Sequence, residues 1–221
     1  ILYMHSMNKI LIVFFFFCSS TLLGQTKLAK VKYSGGGDWY ANKTSLPNLI
    51  QFCTSNLPLK LSTTPETVEL SSKQLFSYPF IHLTGHGNVV FTDTEIQNLR
   101  TYLLGGGFLH IDDNYGLDVY IRREMKKVFP SLEFVELPFT HAIYHQTFNF
   151  PAGLPKIHEH DGRPAQGFGL IYKGRLICFY SYESDLGNGW EDIGTYTDPV
   201  EKHQEALKMG ANILQYAFTN P

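Results

Sequence analysis

Charge is sparse in this chain and cysteine is sparser. Asp, Glu, Lys and Arg make up 17% of 221 residues and the formal net charge is −2, so there is no basic field of the kind nucleic-acid binding requires. Of three cysteines, Cys18 lies in a leader-like stretch. Cys53 and Cys178 sit in apolar segments, where a free thiol packs as a small hydrophobe, and the sequence leaves open whether they pair. No apolar run reaches the roughly 20 residues a membrane span needs. Repeats, low-complexity tracts and long linkers are also missing, so residues 26–221 are read as one domain. The glycines of "SGGGDWY" are not followed by the Lys-Ser/Thr of a P-loop.

What is present begins with "MNKILIVFFFFCSSTLLGQ", starting at Met7. A short polar start with Lys9, an apolar stretch over 10–17 and small residues before Gly24 and Gln25 make the pattern of a secretory signal. Residues 1–25 are therefore expected to be a signal peptide with residues upstream of it. The remainder is expected to be exported to the periplasm or cell envelope, with no stable transmembrane span after cleavage.

Beyond it, strands and helices alternate. "LAKVKYSG", "TVEL", "YPFIHLTGHG", "FLHI" and "LEFVEL" read as strands, and "GLIYKG" with "RLICFYSYE" as a hairpin turning at Lys173-Gly174. "SLPNLIQFCTSNL" reads as a helix with Ser45 as cap and Pro47 in its first turn. "TDTEIQNLRTYLLGGG" carries Thr92 and Glu95 at capping-box spacing and an Ile96, Leu99, Leu103 stripe. "LDVYIRREMKKVF" is amphipathic, and a last helix opens at "DPVE" with Asp198 as cap. Continuously apolar strands alternating with helices predict an α/β fold, a mostly parallel sheet with helices on both faces. Ligands in such folds gather beyond the carboxyl ends of the strands. "TGHGN" and "DDNYG" fall there.

The motifs "YPFIHLTGHG", "LRTYLLGGGFLHIDDNYG", "HAIYHQTFNFPAGLPKIH" and "DLGNGW" resemble, in the right order, the bacterial family known as domain of unknown function 4159. That resemblance implies a flavodoxin-like sheet related to class I glutamine amidotransferases, and implies no reaction. Where an amidotransferase carries its cysteine nucleophile, after the strand over 107–111, this chain has Asp112 and Asp113. Thiolate acyl transfer is therefore not expected.

Candidate catalytic residues are Asp113, Asp112 and His86. Adjacent residues of a strand face opposite ways, so one aspartate is expected in the cleft and the other at the turn; Asp113 is assigned the cleft. Glycines on both sides of His86 leave its imidazole at the sheet edge. Candidate binding residues are Tyr115, His141, His145 and Trp190. His141 and His145 are four apart, a spacing that metal ligands also use. Trp190 lies in "ESDLGNGWED", an acidic segment after a strand, and offers a stacking face. "HEHDG" at 158–162 reads as a polar loop or a second ligand source, and His82 and His110 as core histidines. Cofactor and metal are unassigned. Two functions stand side by side: a module binding a small molecule, glycan or envelope protein, and a hydrolase-like enzyme with an Asp/His site, metal-assisted or not.

Overall fold

Strand pairing sets the architecture. In a computed structural model describing residues 25–220, seven strands form one sheet in the order β2-β1-β3-β4-β7-β6-β5. The export signal read at the N-terminus lies outside the described residues. Strands β1 (Leu28–Lys32), β2 (Glu66–Glu69), β3 (Phe80–Gly85), β4 (Phe108–Asp113) and β7 (Arg175–Tyr182) run parallel. β6 (Gln166–Tyr172) is antiparallel to β7, and the two-residue β5 (Val135–Glu136) is antiparallel to β6. This is a mixed α/β protein consistent with a flavodoxin-like fold. β3 and β4 are parallel neighbours, paired from Phe80↔Phe108 to Gly85↔Asp113, in keeping with the expected mostly parallel sheet.

The helices divide between two cores. α2 (Asp93–Leu104) and α3 (Asp118–Val128) pack Leu99, Leu103, Ile121 and Met125 on one face, with Ala29, Ile81, Leu109, Ile111 and Tyr180 of the strands. α1 (Ser45–Asn56), the short α4 (Leu186–Trp190) and α5 (Val200–Thr219) cover the other face, over Leu28, Phe80, Phe108 and Phe179. Cys178 belongs to the first core and Cys53 to the second, so the sheet separates the two free thiols. No helix among the described residues is long and apolar enough to cross a membrane.

Two capping assignments differ from the sequence reading. The expected capping box of α2 is present, with Thr92 and Glu95 bonding each other's backbone N–H. Ser45, however, is already helical, and α1 is capped from a distance: Glu191 accepts from the N–H of Thr44 at 2.9 Å and of Ser45 at 3.0 Å. Asp198 does not cap α5 either; its carboxylate is turned to His158 Nδ1 at 2.8 Å, and α5 starts after Pro199 without a side-chain cap. In both places a tertiary partner outcompetes the local bond.

Candidate functional site

Because β1, β3, β4 and β7 are parallel, their carboxyl ends open onto one edge of the sheet. The chain order reverses there, β1 leading outward to β2 and β3 inward to β4, which makes a crevice between the β1 and β3 ends. Asp38 follows β1 and His86 follows β3. Asp38 Oδ2 lies 3.0 Å from His86 Nδ1, and Asp38 Oδ1 accepts the His86 N–H. His86 is thus an exposed histidine oriented by a carboxylate.

Asp112 and Asp113 do face opposite ways, and both are committed to structure. Asp113 Oδ1 accepts the backbone N–H of Tyr115 at 2.9 Å and of Leu117 at 3.0 Å, and Oδ2 accepts Tyr180 O–H at 3.2 Å. The residue assigned to the cleft is therefore the one that shapes the turn on the α2/α3 face. Asp112 faces the α4 side. Its carboxylate accepts Ser181 O–H at 2.5 Å, Leu186 N–H at 3.2 Å and Gly187 N–H at 2.7 Å, holding the first turn of α4. Burial raises Asp112 to about 6, against those hydrogen bonds. The polar chain continues from Ser181 to His110 Nε2 at 3.0 Å and from His110 Nδ1 to His82 Nδ1 at 3.1 Å. Both histidines are fully buried and shifted down by desolvation, as core histidines are.

His141 and His145 are not part of this edge. His141 packs at 5.5 Å on Tyr216, which itself packs on Phe108 at the start of β4, and His145 bonds Phe139 O and Asn149. They sit toward the opposite end of the sheet in an irregular segment, not on a helix, so their spacing does not give a shared ligand face. Trp190 is likewise not a stacking surface. It is 1% exposed, packs against His82 and His110, and donates its indole N–H to Ala206 O at 2.8 Å.

The structure brings other residues in instead. Asp185, just before α4, is 0% exposed, and neither carboxylate oxygen receives a hydrogen bond among the described residues. His160 Nε2 stands 2.7 Å from Asp185 Oδ2. Distance alone suggests an ion pair; the surroundings argue for two neutral groups. Burial, then Asp112 and Asp113, push Asp185 up to about 9, while burial and the field of His158 push His160 down. Tyr115 stacks on His160 at 4.5 Å and is itself half exposed. The segment carrying His160 is tied down by Lys156 to Glu183 at 3.0 Å, Ile157 N–H to Ser184 O at 2.9 Å and His158 to Asp198.

Backbone strain gathers at the same edge. Among the described residues, the non-glycine residues with positive φ are Asn42 (55°), Tyr115 (94°), Glu183 (55°), Asp185 (60°) and the hairpin residue Lys173, so four of these five border the site. Among the described residues there is no group of three or more His, Cys, Asp or Glu set to hold a metal ion. The larger cavities, of about 540 and 470 Å3, lie beside α1 and α5. The first is lined by Glu191, Asp192 and His203 among others and the second by Glu205 and Lys208, but neither holds a buried, unbonded carboxyl in left-handed backbone, and the strand ends are the stronger candidate.

The family model for a domain of unknown function, DUF4159, matches residues 27–218. The chain belongs to that family. The match spans all seven strands and every residue of the strand-end cluster, in agreement with the motif resemblance. Comparison with curated proteins finds no match. Membership in DUF4159 therefore brings no reaction with it, and the two thiols do not supply one: both are buried, with Cys53 pushed up to about 12 and Cys178 pushed well above the usual thiol range. Asp185 and His160 escaped the sequence reading as a pair because they meet only through tertiary packing. The signal available was "HEHDG" and "ESDLG" themselves, two acidic and histidine-bearing loops.

Proposed function

We propose that this chain is an exported module that binds a small polar ligand or an envelope partner at the carboxyl edge of its sheet, on an amidotransferase-like scaffold without a cysteine nucleophile. One observation carries the binding reading. Asp185 is a carboxyl group buried without a hydrogen bond, held in left-handed backbone, next to the imidazole of His160. Burying an unpaired carboxyl destabilises a fold, and a strained backbone adds to it, so their coincidence at a sheet edge marks a place kept for a ligand. The signal-like sequence supports export, and N-terminal sequencing of envelope-fraction protein is expected to begin near Gly24 or Gln25; Met7 or Asn8 there would overturn it.

The binding test is thermal unfolding of the purified protein against a library of small polar metabolites, glycan fragments and peptides. A ligand that binds only the folded state raises the melting temperature with concentration, by about 2.7 kcal/mol of added stability at a hundredfold excess over Kd. The increment is expected to vanish in Tyr115→Asn. No stabilising compound in the library, with the protein folded, would refute the binding reading.

A second reading has its own observation: Asp185 keeps its proton up to about 9 beside a neutral imidazole, the pairing of a general acid with a base. In that case a broad hydrolase screen gives a turnover that Asp185→Asn abolishes.

A further inference from the structure

We propose that the strand-end site takes an uncharged, hydroxyl-rich ligand of the sugar or polyol class. This rests on the binding reading above and narrows it.

The unpartnered atoms around the first turn of α4 set the requirement. Two are donors, the amide Nδ2 of Asn42 and of Asn114. Their orientation is fixed from the other side, since Asn42 Oδ1 accepts Tyr196 O–H at 3.0 Å and Asn114 Oδ1 accepts Thr84 O–H at 3.2 Å. The others are Oδ1 of Asn188, an acceptor, and the neutral carboxyl of Asp185, which accepts at one oxygen and donates from the protonated one. All four residues are at least nine-tenths buried. They share one neighbourhood: Asp185 and Asn188 flank Gly187, and a methyl group in place of a Gly187 hydrogen would meet Asn42 Nδ2 at 2.6 Å and Asn114 Oδ1 at 3.7 Å.

A ligand satisfying this set has to accept and donate at once. Carboxylates only accept, phosphates accept at most of their oxygens and bring negative charge, an ammonium only donates, and a metal ion takes lone pairs and would leave the amide N–H groups facing a cation. Hydroxyl groups do both, as water does. Anions meet a second obstacle. Asp112, Asp113 and Glu183 crowd the strand ends, and the N-terminus of α1, the natural anion seat of such a fold, is already filled by Glu191 with bonds of 2.8 to 3.0 Å.

The rim supplies the second half of sugar recognition. Tyr115 is 49% exposed with one ring face stacked on His160, which leaves the other face for a ligand. The negative face of an aromatic ring attracts the weakly positive C–H face of a sugar ring. His160 touches both Tyr115 and Asp185, so rotation of its imidazole lets a hydroxyl bound over Tyr115 reach the buried carboxyl.

The experiment is an amide chemical-shift titration of the 15N-labelled protein with four probes in turn: neutral saccharides and alditols (N-acetylglucosamine, glucose, sorbitol), inorganic phosphate, Mg2+ and spermidine. Saturable shifts at Tyr115, His160 and Gly187 are expected with a neutral probe alone. Tyr115→Asn, chosen because Asn tolerates positive φ, is expected to weaken that binding at least tenfold with the spectrum otherwise that of folded protein. Saturation at the same residues by phosphate, Mg2+ or spermidine would overturn the ligand class while leaving the binding reading intact. Absence of site shifts with every probe would overturn the inference, and only the wider library of the preceding section would then decide the binding reading.

Discussion

Replacing Asp185 with Asn isolates the energetic consequence of the buried, unbonded carboxyl. Asp185 titrates near 9 in the folded protein against an ordinary 3.8, with burial as the main cause and Asp112 and Asp113 as further ones. A carboxyl with a raised folded pKa keeps a proton that the unfolded chain gives up, so stability falls as pH rises between those two values. At roughly 1.4 kcal/mol per pH unit, the folded state forgoes about 4 kcal/mol at pH 7 and under 2 kcal/mol near pH 5, as upper bounds. Asparagine has the shape of a protonated aspartate, cannot ionise, and accepts the left-handed backbone at φ 60°. Urea unfolding of both proteins at pH 4, 5.5, 7 and 8.5 measures the difference. Asp185→Asn is expected to match the parent near pH 4 and to gain steadily above it, becoming the more stable protein at neutral pH. A constant offset between the two, with the same pH slope, would show that Asp185 ionises in the folded state much as it does in the unfolded chain, and the reasoning would fail.

Asp112→Asn and Asp113→Asn are both expected to lower stability by about 1–3 kcal/mol, because each carboxylate accepts three hydrogen bonds and an amide turns an N–H2 group toward donors; thermal unfolding side by side checks it, and an unchanged Asp113→Asn would restore that residue to the cleft. Gly187→Ala places a methyl 2.6 Å from Asn42 Nδ2 and 2.8 Å from Asp112 Oδ2, so unfolding by urea should show a loss of about 1–3 kcal/mol. A neutral outcome there would mean the α4 turn yields more easily than its packing suggests.

Much of the fold was legible because its signals are local. The capping box at Thr92 and Glu95, the apolar stripe of α2 and the unbroken apolar runs of β3 and β4 each act within a dozen residues, and together they give parallel strands joined by a helix. The location of the site was legible for the same reason, since parallel strands must end on one edge. Its membership was less so. Glu191 caps α1 from more than 140 residues away, and Asp198 gives up its helix for His158; no local rule ranks such partners above the nearby one. Asp112 and Asp113 were rightly placed at a strand end, but a sequence does not say how many N–H groups converge on a carboxylate. His141 and His145 shared a spacing without sharing a helix.

The hydrogen-bonded row from Asp112 to His82 has a direction. At neutral pH Asp112 is mostly ionised, and the single hydroxyl proton of Ser181 points at it across 2.5 Å. Ser181 can then only accept from His110, which must carry its proton on Nε2 and leave Nδ1 bare. His82 in turn must carry its own on Nδ1. Two neutral imidazoles stacked in the same core are thereby opposite tautomers, and three dipoles align head to tail toward one carboxylate, each strengthening the next. The polarity of the middle of the sheet is set at its edge, and it terminates in a lone pair, His82 Nε2, that meets no donor among the described residues.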